Sequence, residues 1–317
     1  MIISLPKLSV GLLGLIALSL SLVLAWNEGA PAQGMGKQEA ILIMAAGDIA
    51  CDPQSQYFNN GKGQPGNCQM QATADLVRQA KPKVVLALGD NQYERGELEN
   101  FKRSYEPTWG RFKAITKPVP GNHEYYSDGA KGYYDYFGPL AGDRNKGYYS
   151  FDLGQWHLIA LNSNCKAIGG CGAGSPQEKW LQADLKKNTK ACTLAFWHHP
   201  RYSSGVHGNN AEMETFWQDL YNAKADVVLT AHDHLYERFA PQGPGGKLDE
   251  KLGLREFVVG SGGKSLYPFK TLRANSEVRI DNTYGVLKLA LGAKGYDWEF
   301  LPTVASQPRD KGQALCH

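Results

Sequence analysis

Five short apolar runs, at residues 41–46, 84–88, 118–120, 193–197 and 227–230, each lead into residues that can bind a metal ion. The first is followed by Gly47-Asp48 and the second by Gly89-Asp90. The third leads to Gly121-Asn122-His123, the fourth to His198 and the fifth to Ala231-His232. Runs this short, rich in β-branched residues and without polar alternation, read as strands buried on both faces. Helical patterns lie between several of them: about 69–80, from Ser175 to about 187, and about 210–223. The second opens with Ser175, Pro176 and Glu178, the chemistry of a capping box. Strand–helix alternation argues for an α/β fold. Two hairpin signals break the alternation, 148–153 with 157–162 across Gly154-Gln155, and 284–291 with 296–301. Mixed sheets are therefore expected rather than one parallel sheet.

In open α/β sheets ligands bind beyond the carboxyl ends of strands. Each of these terminal residues taken singly has an ordinary explanation. An Asp or Asn after glycine is commonly turn chemistry, and a lone histidine is commonly a satisfied core residue. Five strands delivering such residues to one edge is a different matter. A carboxylate can bridge two cations and offset their repulsion. In extended chain, His232 and His234 would point the same way, to converge on one site or feed two adjacent metals. Imidazole suits Zn, Fe, Mn and Cu. Asn122 offers a neutral carbonyl oxygen, with His123 beside it free to reach a substrate.

Lys7 precedes an uncharged apolar stretch, 8–24, and small residues follow it at Ala25 and Ala32. This reads as a signal peptide cleaved after one of those alanines; the rival reading is an uncleaved N-terminal anchor. Residues 33–39 read as a flexible tail and 40–317 as one domain. The formal net charge of +3 is spread thinly, so neither a nucleic-acid duplex nor a membrane surface is an expected partner. Six cysteines behind an export signal read as disulfides. Proximity suggests Cys51–Cys68 and Cys165–Cys171, which leaves Cys192–Cys316. The expected location is secreted or periplasmic.

Gly47-Asp48, Gly89-Asp90-Asn91-Gln92-Tyr93, Gly121-Asn122-His123-Glu124, Ala195-Phe196-Trp197-His198 and Ala231-His232-Asp233-His234 occur in this order. The set resembles the calcineurin-like metallophosphoesterase superfamily over about residues 41–235. The Gly-Asp-x-x-Tyr block is similar to the purple acid phosphatase branch. Ala50 stands where the wider superfamily has a metal-binding His, which that branch also lacks. The resemblance implies a four-layer αββα sandwich of two mixed sheets flanked by helices. It implies two metal ions: Fe(III) held by Asp48, Tyr93 and His234, and Fe, Zn or Mn held by Asn122, His198 and His232, with Asp90 bridging. His123 and His207 would contact the substrate as catalytic residues. Tyr93 as a packing aromatic and His207 as an exposed loop residue are the plainer readings. His199 has no assigned role.

The implied activity is hydrolysis of small-molecule phosphate monoesters by in-line attack of metal-bound hydroxide. A phosphodiesterase or nucleotidase with the same metals is the alternative, because pocket loops decide that choice; 124–147 and 201–210 read as the pocket walls. A non-catalytic metal- or phosphate-binding protein is a third reading, against which His123 and His207 speak. No Gly-x-Ser-x-Gly follows a plausible strand, so a serine hydrolase is not supported. Sequence leaves oligomeric state open.

Overall fold

The computed structural model describes residue 1 and residues 40–317; the proposed signal peptide and tail lie outside the described residues. Two mixed sheets carry the fold. The first has the order β13-β12-β11-β1-β2-β3, with β1 Ile41–Ala46, β2 Val84–Leu88, β3 Thr116–Val119, β11 Gly285–Leu291, β12 Gly295–Pro302 and β13 Lys311–Leu315. The second has the order β10-β8-β9-β7-β6-β5-β4. Its strands are β4 Tyr149–Leu153, β5 Trp156–Ala160, β6 Cys192–Phe196, β7 Val227–Thr230, β8 Tyr236–Phe239, β9 Arg255–Val259 and β10 Ser276–Ile280. Both expected hairpins form as antiparallel pairs, β4 with β5 and β11 with β12.

The second sheet shows why its central strands carry no polar alternation. Successive side chains point to opposite faces, and both faces are covered. Leu158, Ala160, Leu194, Phe196, Val227, Leu229, Phe257 and Val259 join the central core with β1, β2 and β11 of the first sheet. The intervening Ile159, Ala195, Val228 and Val258 join a second cluster with Leu181, Phe216, Trp217 and Leu220. Those last four come from helices Pro176–Lys187 and Glu214–Asn222. Helix Met70–Ala80 packs against β11 in the same way on the first sheet. The four layers are therefore helix, sheet, sheet, helix, and the α/β sandwich is the observed architecture.

Local signals hold where they were strongest. Ser175 Oγ accepts the Glu178 N–H at 3.3 Å and caps the helix start. All three favoured disulfides are present: Cys51–Cys68, Cys165–Cys171 and Cys192–Cys316. The expectation for 124–147 changes. Helix Lys131–Phe137 buries Tyr133, Tyr134, Tyr136 and Phe137 in the core, so most of that aromatic content packs. Tyr126 is the exception at 51% exposed, its ring 4.6 Å from that of His123.

β1, β2 and β3 run parallel, as do β5, β6, β7 and β9. Their carboxyl ends present Asp48, Asp90, Asn122, His198 and His232 along one edge. Among the described residues, no helix is long and apolar enough to cross a membrane.

Candidate metal centre

The backbone is strained where the candidate donors leave their strands. Asp48, Asp90 and His232 have φ of 57°, 47° and 70°, a region that non-glycine residues enter only when their surroundings hold them there. The contacts that hold them are visible. His232 N–H donates to Asp48 Oδ2 at 2.8 Å, and His123 N–H donates to Asp90 Oδ1 at 2.8 Å. Gly121 fits so closely against the second loop that a Cβ there would lie 2.1 Å from Asp90 Oδ1. The left-handed turn at His232 also corrects one expectation: residues 232–234 are not extended chain.

One group of donors surrounds the Tyr93 hydroxyl. Its Oη lies 2.6 Å from Asp48 Oδ1, 3.0 Å from Asp90 Oδ2 and 2.9 Å from His234 Nε2. A phenol has one proton to give, so this buried knot holds more lone pairs than protons. Burial, and then the Asp48 and Asp90 charges, push the Tyr93 pKa well up. Only a cation would favour the tyrosinate here.

A second group surrounds His198. Its Nδ1 lies 2.9 Å from the Leu88 carbonyl, which can only accept, so Nδ1 carries a proton. Nε2 then faces Asp90 Oδ2 at 3.3 Å and Asn122 Oδ1 at 3.2 Å. Burial opposes a charge on His198, but the Asp90 and Asp48 carboxylates push its pKa up to about 9. Burial likewise opposes ionisation of Asp90, yet His198, His123 and His232 hold its carboxyl well below the usual range. The site seeks positive charge, and metal cations at both groups fit its donor chemistry. The His232 ring lies 5.0 Å from that of His198 and is held neutral by burial and its histidine neighbours. Asp90 faces both groups, because the same Oδ2 contacts Tyr93 and His198.

His123 and His207 lie at the rim. His123 Nδ1 is 2.7 Å from the Glu94 carbonyl, and its Nε2 is 3.9 Å from Asp90 Oδ2. The His207 ring is 4.1 Å from that of His232, its side chain 42% exposed. The hydrogen bond that His207 Nδ1–H gives to Asp233 raises the His207 pKa, against burial. His199 also joins the group, 4.4 Å from His232, with Nδ1 2.8 Å from Ser163 Oγ. Burial and then His198 push its pKa down to about 3.

Two carboxylates matter more than sequence reasoning allowed. Glu124 is fully buried and accepts four backbone N–H groups: Asp90 at 2.9 Å and Gly121 at 2.7 Å on Oε2, Asn91 at 2.8 Å and Gln92 at 3.2 Å on Oε1. One side chain thus ties the loop after β2 to the loop after β3. Burial and the Asp90 charge push its pKa up to about 8, against those donors. Its place in the Gly-Asn-His-Glu block was the available signal. Asp233 is the other, and its signal was its position between two candidate donors.

Comparison with known proteins places the chain in a family. The family profile described as calcineurin-like phosphoesterase matches residues 41–236. Purple acid phosphatase 15 of Arabidopsis thaliana is 29% identical over 194 residues, 50% of this chain and 36% of that protein. Acid phosphatase type 7 of Homo sapiens is 27% identical over 256 residues, 71% of this chain and 51% of that one. The chain thus spans about a third to a half of the length of these relatives. Among solved structures, purple acid phosphatase PPD1 from yellow lupin (Lupinus luteus) superposes with a TM-score of 0.66 at 21% identity, covering 86% of this chain and 53% of that one. Five sequence blocks, a two-sheet sandwich and a family match over the same residues lead to one conclusion: the chain belongs to the calcineurin-like phosphoesterase family, and its relatives there include purple acid phosphatases.

Proposed function

We propose that the protein is an exported phosphatase that hydrolyses small-molecule phosphate monoesters at a two-metal site. The observation that carries this is Asp90, whose Oδ2 lies 3.0 Å from Tyr93 Oη on one side and 3.3 Å from His198 Nε2 on the other. Asp48, Tyr93 and His234 would hold one cation, with the oxygen-rich character that suits Fe(III). Asn122, His198 and His232 would hold the other, an Fe, Zn or Mn ion, and Asp90 would bridge them. When bound, two such cations neutralise phosphoryl oxygens and acidify water for in-line attack. The protein's own groups do the rest. His123, with Nδ1 engaged by Glu94, presents Nε2 to the phosphoryl group. His207 presents its ring from the opposite loop and supplies a proton to the departing oxygen. Export is supported by the N-terminal apolar stretch and by three disulfides, which persist in oxidising compartments.

The test is phosphate release from an aryl monoester and the matching diester by mature protein of known metal content, beside Asp90→Asn. Monoester turnover is expected, falling at least ~10²–10³-fold in the variant, the loss typical of a missing electrostatic contact. Turnover of the diester alone would make the protein a phosphodiesterase. No turnover of either by fully metallated protein would leave it a binding protein.

A further inference from the structure

The proposed metal site uses His232 and His234 but gives no task to the residue between them. Asp233 is fully buried. Its Oδ1 accepts the His207 backbone N–H at 2.9 Å and the His207 Nδ1–H at 2.8 Å. Its Oδ2 accepts the Ser203 hydroxyl at 2.5 Å and the Gly208 N–H at 3.3 Å. The loop closes tightly around this carboxylate: a Cβ on Gly205 would lie 2.3 Å from Asp233 Cγ. Two further buried carboxylates hold the same loop. Glu256 accepts the N–H groups of Arg201 and Tyr202, both at 3.0 Å, and Glu237 accepts that of Ser204 at 2.8 Å. An exposed-looking segment with glycines at 205 and 208 is in fact pinned from beneath by three acids. His207 is the residue it carries to the rim, 4.1 Å from the His232 ring and 5.9 Å from that of Tyr267.

We propose that Asp233 is a positioning residue that fixes both the tautomer and the place of His207, so that Nε2 faces the leaving-group oxygen. The proposal rests on the phosphate-ester reading above. An acceptor at Nδ1 keeps a proton there, and Nε2 is the ring atom left for the substrate. As water attacks phosphorus, the P–O bond to the leaving group breaks and its electron pair stays on the leaving oxygen. That oxygen takes the Nε2 proton, while Nδ1–H remains on Asp233. His207 is left neutral and recovers its proton from solvent. Asp233 must be an acceptor on both oxygens. An asparagine would set its NH₂ either against the two His207 donors or against Ser203 and Gly208, whichever way it turned.

The experiment compares wild type, Asp233→Asn, His207→Gln and the double variant on monoesters ranging from nitrophenyl to alkyl leaving groups, with metal content measured in each. Asp233→Asn is expected to keep both metals and lose ~10²-fold or more on alkyl esters, the scale of a misplaced general acid. Nitrophenyl esters, which need no proton, should lose far less. His207→Gln should show the same steepened dependence, and the double variant should add nothing. Histidine ¹⁵N spectra should show Nδ1–H of His207 slowed in exchange in wild type and released in Asp233→Asn. If Asp233→Asn fails to fold, Gly205→Ala, which forces the loop off the carboxylate, should steepen the dependence in the same way. A uniform loss across all esters, or metal loss reversed by added metal, would show that Asp233 only supports its neighbouring histidines and would overturn the proposal. Absence of turnover in wild type would defeat the phosphatase reading instead, and an unchanged His207 spectrum in Asp233→Asn would defeat this one independently.

Discussion

The two ends of the central strands carry the same kinds of side chain and use them differently. At the amino ends of β5, β6 and β7, His157 sits between Asp152 and Asp184, each 2.8 Å away, one on each ring nitrogen. Asp226 accepts the Thr193 N–H at 2.7 Å and the His317 N–H at 2.8 Å. Cys192 is bonded to Cys316 close by. Every buried acceptor named there has a donor. At the carboxyl ends, Asp48, Asp90, Tyr93, Asn122, His198 and His234 turn lone pairs toward one another with too few protons to satisfy them. Three of the residues there, Asp48, Asp90 and His232, also hold left-handed backbone. A self-satisfied end is a structural end. An end short of positive charge is one built for something that brings it, and strained backbone at three of its own residues is in keeping with that.

That contrast can be broken at either end. The largest effect on stability is expected at the covalent end. Replacing Cys192 and Cys316 together with serine opens a closure of 124 residues, which chain entropy values at as much as about 5 kcal/mol. Chemical denaturation should show the loss, with metal affinity nearly unchanged. Equal loss of metal binding would mean that the two ends are not separable.

At the other end, Glu124→Gln puts an NH₂ among four N–H donors. It should lower metal affinity by about 10–100-fold, as outer hydrogen-bond partners of metal sites do. Competition with a chelator, read by elemental analysis, measures it. Unaltered affinity would make Glu124 a packing residue only.

The smallest effect is a pH dependence at the structural end. Burial lowers the His157 pKa, but the hydrogen bonds its ring donates to Asp184 and Asp152 outweigh that and raise it above the ordinary 6.5. A group whose folded pKa is raised contributes stability fully below its unfolded value, and that contribution disappears as pH rises through the folded one. Unfolding free energy should therefore fall between pH 6.5 and the raised folded value. His157→Gln should remove that part of the pH dependence. A variant that kept the slope unchanged would place its origin elsewhere.

Much of the architecture was legible because it is written in local patterns. Runs such as 41–46 and 84–88 became β1 and β2 with those bounds, since a strand covered on both faces needs apolar residues throughout. Ser175, Pro176 and Glu178 set a helix start because a cap satisfies N–H groups within one turn. Strands β8, β10 and β13 were not singled out. They are four or five residues long, and β10 and β13 alternate partly exposed side chains at sheet edges. β8 and β10 find each other across a long stretch of chain, whereas β13 folds back on the preceding β12 across the loop 303–310.

Residue patterns alone carry the α/β class, the order of the five blocks and the residue types that gather at one edge. Those follow from side-chain periodicity and from the chemistry of each residue. The packed fold settles which donors share a group, that Asp90 faces both, and that the aromatics of 133–137 pack inward while Tyr126 does not. It alone gave Glu124 and Asp233 their tasks. A carboxylate that holds a loop does so through backbone N–H groups, which every residue but proline carries. The sequence therefore cannot mark its partners, and only folding brings them within reach.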